Sequence, residues 1–234
     1  MKDAERPPTT AVVGAGTMGR GIAQLLLSHG SRVTVVDPSP EALEQAEEHI
    51  LREAGGDLDA FRQRLVLDTD LARIPADASL MIEAVPEDPA VKAGVLRAIS
   101  ELSSDAVLAT NTSSVPVTRL AQHVRRPGRF LGLHFFNPVP RSALVEIVAG
   151  EETQPETIQA RRRWCGHWQR TAIVVLGPLP PTDLVGLDVR LAIAETLAGD
   201  LGDRFTSPAL LRELVAAGHL GRKTGRGFYT WTRT

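Results

Sequence analysis

The chain has 234 residues, enough to bury a substantial core as one large domain or as an ordinary domain beside a small one. Lys and Arg number 26 against 28 Asp and Glu, a net charge of −2, which argues against nucleic acid or a membrane surface as the main partner. No apolar run approaches the ~20 residues of a membrane span, MKDAERPPTT lacks the apolar stretch of a signal peptide, and the lone Cys165 leaves no internal disulfide and no metal site, so a cytoplasmic protein is expected.

Residues 1–8 read as a flexible tail. From Thr10 to Asp37 the chain reads as strand, glycine turn, helix and strand: Ala11 to Val13 enter Gly14, Gly16 and Gly19, Met18, Ile22, Leu25 and Leu26 recur at helical spacing to Gly30, and Val33 to Val36 end in Asp37. Each glycine has its own task. Gly14 permits the tight turn, Gly16 lets the backbone approach a pyrophosphate, and Gly19 lets the helix pack close on the strand. The helix N-terminus attracts the phosphates through its exposed N–H groups and dipole. Asp37 stands where a carboxylate accepts from both ribose hydroxyls and repels a 2′-phosphate, so NAD is expected rather than NADP. The competing explanation is a glycine-rich turn in some other α/β protein.

A helix is expected over Glu41 to Leu51, with Ala54-Gly55-Gly56 ending it, then short strands at Leu65 to Val66 and Ser79 to Glu83, the second buried on both faces. A helix over Pro89 to Leu102 leads to a strand at Ala106 to Thr110 and the polar turn Asn111-Thr112-Ser113-Ser114. This alternation predicts right-handed crossovers in a doubly wound, Rossmann-like α/β sheet, with ligands gathered at the carboxyl ends of the strands, where Glu83, Asn111 and Ser113 all fall. The strand Phe130 to Phe136, the turn Asn137-Pro138-Val139-Pro140 and the strand Ala143 to Val148 break the rhythm and predict an antiparallel edge. A helix over Thr157 to Arg170 and a strand over Ala172 to Leu176 follow, then a linker, Gly177 to Pro181, whose consecutive prolines disfavour helix.

Helices are expected over Thr182 to Leu197 and Pro208 to Ala217, the latter with Ser207 as N-cap and Gly218 as its stop. The expected organisation is a nucleotide-binding domain over 1–176 and a small helical segment over 177–234. So short a segment buries little core alone, and it carries Leu184, Leu187, Leu191, Leu210, Leu211, Leu214 and Val215, so a homodimer through these helices is expected.

Of the six histidines, His134 lies in a strand at the end nearest the nucleotide crevice. Glu146 follows on the strand that the Asn137-Pro138 turn folds back beside it. A carboxylate next to an imidazole stabilises the imidazolium and fixes one tautomer, as a general base for an alcohol proton requires. Ser113 offers a hydroxyl for the same substrate oxygen. The plainer alternatives are a strand histidine, an exposed carboxylate and a turn hydroxyl.

GAGTMGRGIAQ, EAVPED, NTSS, GLHFFNPVP with LVEI, and DLVGLD with GRKTGRGFY, in this order, resemble the L-3-hydroxyacyl-CoA dehydrogenase family. The resemblance implies NAD on Gly14, Gly16, Thr17, Met18, Gly19, Asp37, Ala84, Val85 and Asn111, with Glu87, Lys92, Ser113 and Asn137 near the nicotinamide half. It implies His134 as catalytic base, Glu146 as its partner, Ser113 on the substrate oxygen, and an acyl-CoA substrate. It also points to Arg62 and Arg64 for the coenzyme A phosphates, although a solvated helix face suits them better. The chain departs from the family pattern after Leu176, where a Gly-Phe-x-x-Asn-Arg motif and two long helices are missing. That motif carries an Asn which in the family holds the substrate oxygen; Ser114, Thr182 or a residue of a second copy are the candidates to replace it. Losing one such donor costs roughly 10²- to 10³-fold in rate. The expected activity is interconversion of 3-hydroxyacyl and 3-oxoacyl thioesters; the alternatives are a weakened or non-catalytic NAD-binding dimer, and a dehydrogenase of another hydroxy acid or a carrier-protein thioester. GRKTG lacks the glycine spacing of a phosphate loop and reads as a terminal loop.

Overall fold

The computed structural model describes residues 9–52, 58–103, 105–175, 180–202, 206–228 and 230–231. The expected tail, the Ala54-Gly55-Gly56 break and the linker residues Gly177 to Leu179 lie outside them. The chain divides into two compact units between Val174 and Val175.

The first unit is built on an eight-stranded sheet: β1 (Thr9–Val13), β2 (Arg32–Val36), β3 (Leu65–Asp68), β4 (Leu80–Glu83), β5 (Val107–Thr110), β6 (Phe130–Phe135), β7 (Leu144–Ala149) and β8 (Thr171–Val175). Their spatial order is β3-β2-β1-β4-β5-β6-β7-β8. β3 to β6 run parallel in that order, and β7 is antiparallel to β6. This is the expected doubly wound sheet with an antiparallel edge. The helices are α1 (Thr17–Ser28), α2 (Pro40–Arg52), α3 (Leu58–Arg64), α4 (Pro89–Leu102), α5 (Val117–Ala121) and α6 (Pro155–His167). Every residue of β1, β4 and β5 is buried, as strands covered on both faces must be. α1 supplies Ile22, Ala23, Leu25, Leu26 and Leu27 to the core.

α4 begins at Pro89 because the Asp88 side chain accepts from the N–H groups of Ala90 and Val91 and proline suits the first helical position. α3 and α5, which the periodicity does not reveal, have seven and five residues. Phe61 is the one buried residue of α3, too few to show a period. α6 stops short of the expected Arg170: Gln169 takes φ +56° and the Arg170 N–H returns to the Cys165 carbonyl, closing the helix.

The second unit contains α7 (Pro180–Val185), α8 (Leu187–Leu201) and α9 (Ala209–Ala216) among its described residues. Three expectations are corrected here. Pro180 and Pro181 open α7 rather than extending a linker, since the first turn of a helix needs no N–H from them. The single helix expected over Thr182 to Leu197 is two, broken at Gly186, whose φ of +107° an L side chain rarely adopts. Ser207 does not cap α9; Pro208 precedes the helix and no side chain caps it, while Gly218 stops it at φ +73° as expected. The terminal GRKTG forms a 3₁₀ turn, Arg222–Thr224, where Lys223 pairs with both carboxylate oxygens of Asp188 at 2.6 Å. The fully buried Asp183 accepts from the Phe228 N–H at 2.9 Å and the Trp231 indole at 2.7 Å, tying α7 to the chain's end. Among the described residues no helix is long and apolar enough to cross a membrane.

Candidate active site

The sheet reverses its winding between β1 and β4, and in such sheets the crevice beyond the strand ends at that point takes the ligand. Here Gly14 sits at φ +106°, where a Cβ would overlap the Ala84 carbonyl, and a Cβ on Gly19 would overlap the Gly14 carbonyl. Gly16 differs: it is exposed, and a Cβ there would stand in open space above the α1 N-terminus. No side chain caps α1, so its first N–H groups are left for an anion. Asp37, just after β2, accepts the Ala15 N–H at 2.8 Å through one oxygen and the Ser39 N–H at 2.9 Å through the other. A carboxylate has about four acceptor positions, so lone pairs remain for ribose hydroxyls. The cradle fits a dinucleotide, with Thr17 exposed and Met18 half-buried at its rim.

Beyond the glycine turn lies a pocket of about 360 Å³. Met18, Ala84, Val85, Glu87, Lys92, Asn111, Ser113, His134 and Asn137 line it, so these expected residues are gathered in one place. Phe135 and Phe136 line it too and were not anticipated; Phe136 packs on the His134 ring at 4.6 Å between centroids. The antiparallel register sets His134 directly opposite Glu146, and Nδ1 lies 2.7 Å from the Glu146 carboxylate, with both side chains largely buried. Nδ1 therefore carries the proton, and the neutral ring keeps its lone pair on Nε2. Asn111, after β5, accepts the Phe135 N–H at 3.0 Å, so the turn carrying Ser113 is fastened beside His134.

Glu87 organises that turn. One of its oxygens accepts from the Thr112 hydroxyl at 2.6 Å, from the N–H groups of Ser113 and Ser114 at 2.9 Å each, and from the Ser114 hydroxyl at 2.9 Å. Burial pushes the Glu87 carboxyl up, but hydrogen bonds from Thr112, Lys92 and Ser114 outweigh it and bring the pKa down from 4.5 to about 2. Because the folded state favours the ionised form, its contribution to stability is complete above pH 4.5 and is lost as the pH falls through about 2. Thermal unfolding followed across this window should therefore show a steeper acid destabilisation for the wild type than for Glu87→Gln, by about one proton's worth of slope. The same bonds correct one expectation: the Ser114 hydroxyl already donates to Glu87 and is not a spare donor for a substrate oxygen.

Behind Glu87, Lys92 is 1% exposed on the inner face of α4 and contacts Glu83 at 2.9 Å and Glu87 at 3.1 Å. Glu83 is wholly buried and also accepts from the Val85 N–H at 2.8 Å and the Thr110 hydroxyl at 2.6 Å. The sequence places Glu83 at a ligand-facing strand end but does not show its pairing with Lys92, nor the parts of Thr110 and Thr112. The available signal was Lys92 itself, an ammonium on a helix face shared with Ala93, Leu96 and Ile99, which must find a buried acid. Arg64 is spent on structure, donating to the Leu27 and Ala60 carbonyls at 2.9 Å each, while Arg62 is exposed. On the far side of Asn137, a second hollow of about 200 Å³ is bordered by Arg20, His49 and Arg141.

Residues 9–177 match the NAD binding domain of 3-hydroxyacyl-CoA dehydrogenase, and residues 169–231 match its C-terminal domain. The chain belongs to the 3-hydroxyacyl-CoA dehydrogenase family. A 3-hydroxybutyryl-CoA dehydrogenase of Mycobacterium tuberculosis is 34% identical over 278 positions, covering 94% of this chain and 97% of the relative. The crystal structure of (S)-3-hydroxybutyryl-CoA dehydrogenase from Ralstonia eutropha superposes with a TM-score of 0.70 at 31% identity, covering 97% of this chain and 99% of that one. A 5-formyl-3-hydroxy-2-methylpyridine 4-carboxylate 5-dehydrogenase of Mesorhizobium japonicum is 28% identical, covering 95% of this chain and 90% of the relative. An alignment of 278 positions exceeds the 234 residues present, so these family members carry residues that this chain lacks, in keeping with the shortened pattern after Leu176. As a member of this dehydrogenase family the chain is an NAD-dependent oxidoreductase.

Proposed function

We propose that this chain interconverts 3-hydroxyacyl-CoA and 3-oxoacyl-CoA, with His134 as general base, Glu146 as its partner and Ser113 on the substrate oxygen. The observation that carries the reading is the 2.7 Å His134–Glu146 pair on a pocket that adjoins the glycine cradle. In oxidation Nε2 takes the hydroxyl proton as the C3–H bond breaks and the carbonyl forms. Bound nicotinamide supplies the hydride acceptor. Glu146 stabilises the imidazolium so formed, and the Ser113 hydroxyl holds the substrate oxygen in line with Nε2. In reduction His134 returns the proton. The guanidinium groups of Arg20 and Arg141 on the border of the second hollow suit the phosphates of a coenzyme A handle and support a CoA thioester over a free acid. The remaining NAD contacts are assigned to Gly14, Gly16, Gly19 and Asp37. Incubated with NAD and 3-hydroxybutyryl-CoA, the protein should accumulate NADH; no increase in NADH absorbance would overturn the reading. The Mesorhizobium relative favours a second substrate class, a free acid, and equal turnover of 3-hydroxybutyrate and its CoA thioester would shift the assignment to it.

The same reading includes a homodimer through the C-terminal helices. On α8, Val189 and Ile193 stand one helical turn apart at 42% and 47% exposure, and Val185 on α7 and Leu210 on α9 are 49% and 56% exposed. Exposed apolar residues of this kind suit a partner surface. Light scattering at micromolar concentration should give twice the chain mass; a monomer would refute it. A cytoplasmic location belongs to this reading as well, in keeping with the lone buried thiol of Cys165.

A further inference from the structure

We infer that Arg170 is a positioning residue for the coenzyme A end of the substrate: it holds the turn that carries Arg141 and so sets a preference for a CoA thioester over a thioester without phosphates. The inference rests on the proposed reaction and on the second hollow as the place of the phosphates. Arg20 and Gln24 of α1 and the 137–141 turn line that hollow. Gln24 is 5% exposed and its Oε1 has no hydrogen-bond partner, so the hollow offers a buried acceptor suited to an N–H or O–H of a pantetheine arm. Arg141 is exposed, and its guanidinium takes no partner among the described residues, so only its backbone fixes where the charge stands.

That backbone is held at two points from the start of β8. Arg170 Nη2 donates to the Pro140 carbonyl, 30 residues earlier, at 2.9 Å, and the Thr171 N–H donates to the Ala143 carbonyl at 2.7 Å. Between these clamps lie Arg141 and Ser142, whose N–H groups both turn back to the Pro138 carbonyl at 3.0 Å. Val139, 2% exposed, seats the turn against α1, where a Cβ on Gly21 would stand 3.1 Å from the valine Cβ. Burial lowers the Arg170 pKa, and no carboxylate among the described residues pairs with the guanidinium; its other bond goes to the adjacent Gln169 carbonyl at 3.3 Å. A half-buried charge is therefore kept for a carbonyl and not for an ion pair, and a charged donor makes that bond stronger than a neutral one. The Thr171 clamp is main chain and survives any substitution, whereas the Pro140 clamp belongs to one side chain. Losing it loosens Pro140 and Arg141, while Val139 still seats the part of the turn nearer Asn137 and the His134 pocket.

The test compares wild type with Arg170→Met in the full chain, using NAD and two substrates that share the acyl group: 3-hydroxybutyryl-CoA and the 3-hydroxybutyryl thioester of N-acetylcysteamine, which has no phosphate. Positioning of Arg141 predicts a KM for the CoA thioester raised roughly tenfold with kcat within about twofold, and a kcat/KM for the N-acetylcysteamine thioester within about twofold of wild type, since only the bond to phosphate is weakened. Arg170→Lys, which keeps a charged donor on a long stem, should recover most of the loss. Arg141→Ala should raise the same KM, and adding Arg170→Met to it should raise it little further, because two residues that act through one contact are not additive. An unchanged KM for the CoA thioester overturns the inference, as do equal losses on both thioesters, an additive double variant, or a lysine no better than the methionine. Should the wild type turn over neither thioester, the proposed reaction fails, and the Arg170 inference is decided by the dissociation constant of free coenzyme A and by amide hydrogen exchange at Arg141 and Ser142: weaker binding with roughly tenfold faster exchange in Arg170→Met supports it, and wild-type values in either overturn it. If Arg170→Met does not fold, Arg170→Gln, neutral and too short to keep the clamp, takes its place in every comparison.

Discussion

Replacing His134 by alanine should lower kcat by roughly 10²- to 10⁴-fold, the usual contribution of a positioned general acid or base. NADH affinity should stay nearly constant, because the residues proposed to hold its phosphates and ribose, the glycine turn and Asp37, do not line the His134 pocket. The expected loss depends on tautomer and geometry together. Glu146 fixes the proton on Nδ1 at 2.7 Å and so leaves Nε2 basic. Phe136, packed at 4.6 Å between ring centroids, restricts the ring's orientation. Glu146→Gln preserves the shape but removes the charge that stabilises the imidazolium, so it should also slow turnover, by less than the loss of the ring. Steady-state rates at saturating NAD, with NADH binding measured separately, check both variants. A His134→Ala protein as fast as wild type would remove the chemical assignment.

Lys92→Met should destabilise the first unit by about 3–5 kcal/mol, the cost of stranding one member of a buried ion pair. Lys92 and Glu83 are 1% and 0% exposed at 2.9 Å, so neither charge has water to fall back on. At about 2–4 °C per kcal/mol for a chain of this size, the melting temperature should fall by roughly 10 °C. The companion variant Lys92→Met with Glu83→Gln should recover much of the loss. The glutamine is neutral, and its oxygen still accepts from Val85 or Thr110 where the isolated carboxylate would be an uncompensated charge. Thermal melts of the single and double variants check this; a double variant no better than the single would mean that packing, not charge, dominates the site.

Legibility from sequence followed the range of the interactions. The first strand, helix and strand were readable because their code is local: β-branched runs, glycines at a fixed spacing and a terminal acid. The His134–Glu146 pair was readable because a hairpin is nearly local, and the antiparallel register put those two residues opposite each other. The helix break at Gly186 was not, since Ala, Leu and Val continue the helical pattern across it and only the backbone reveals φ +107°. Nor were α3, which buries Phe61 alone, and α5, whose Val117, Leu120 and Ala121 span little more than one turn, too short a stretch to establish a period.

Composition and motif alone determined a doubly wound nucleotide-binding fold, NAD as the coenzyme and the pairing of His134 with Glu146, because each follows from residues near one another in the chain or from a spacing that sterics impose. Tertiary structure alone decided what Glu83, Lys92, Glu87 and the 112–114 turn do together. These residues come from β4, α4 and the turn after β5, and their roles depend on which donor meets which acceptor once the strands lie side by side. Hydrogen-bond partners are chosen at that stage by distances near 3 Å between atoms far apart in the chain, which no linear pattern encodes.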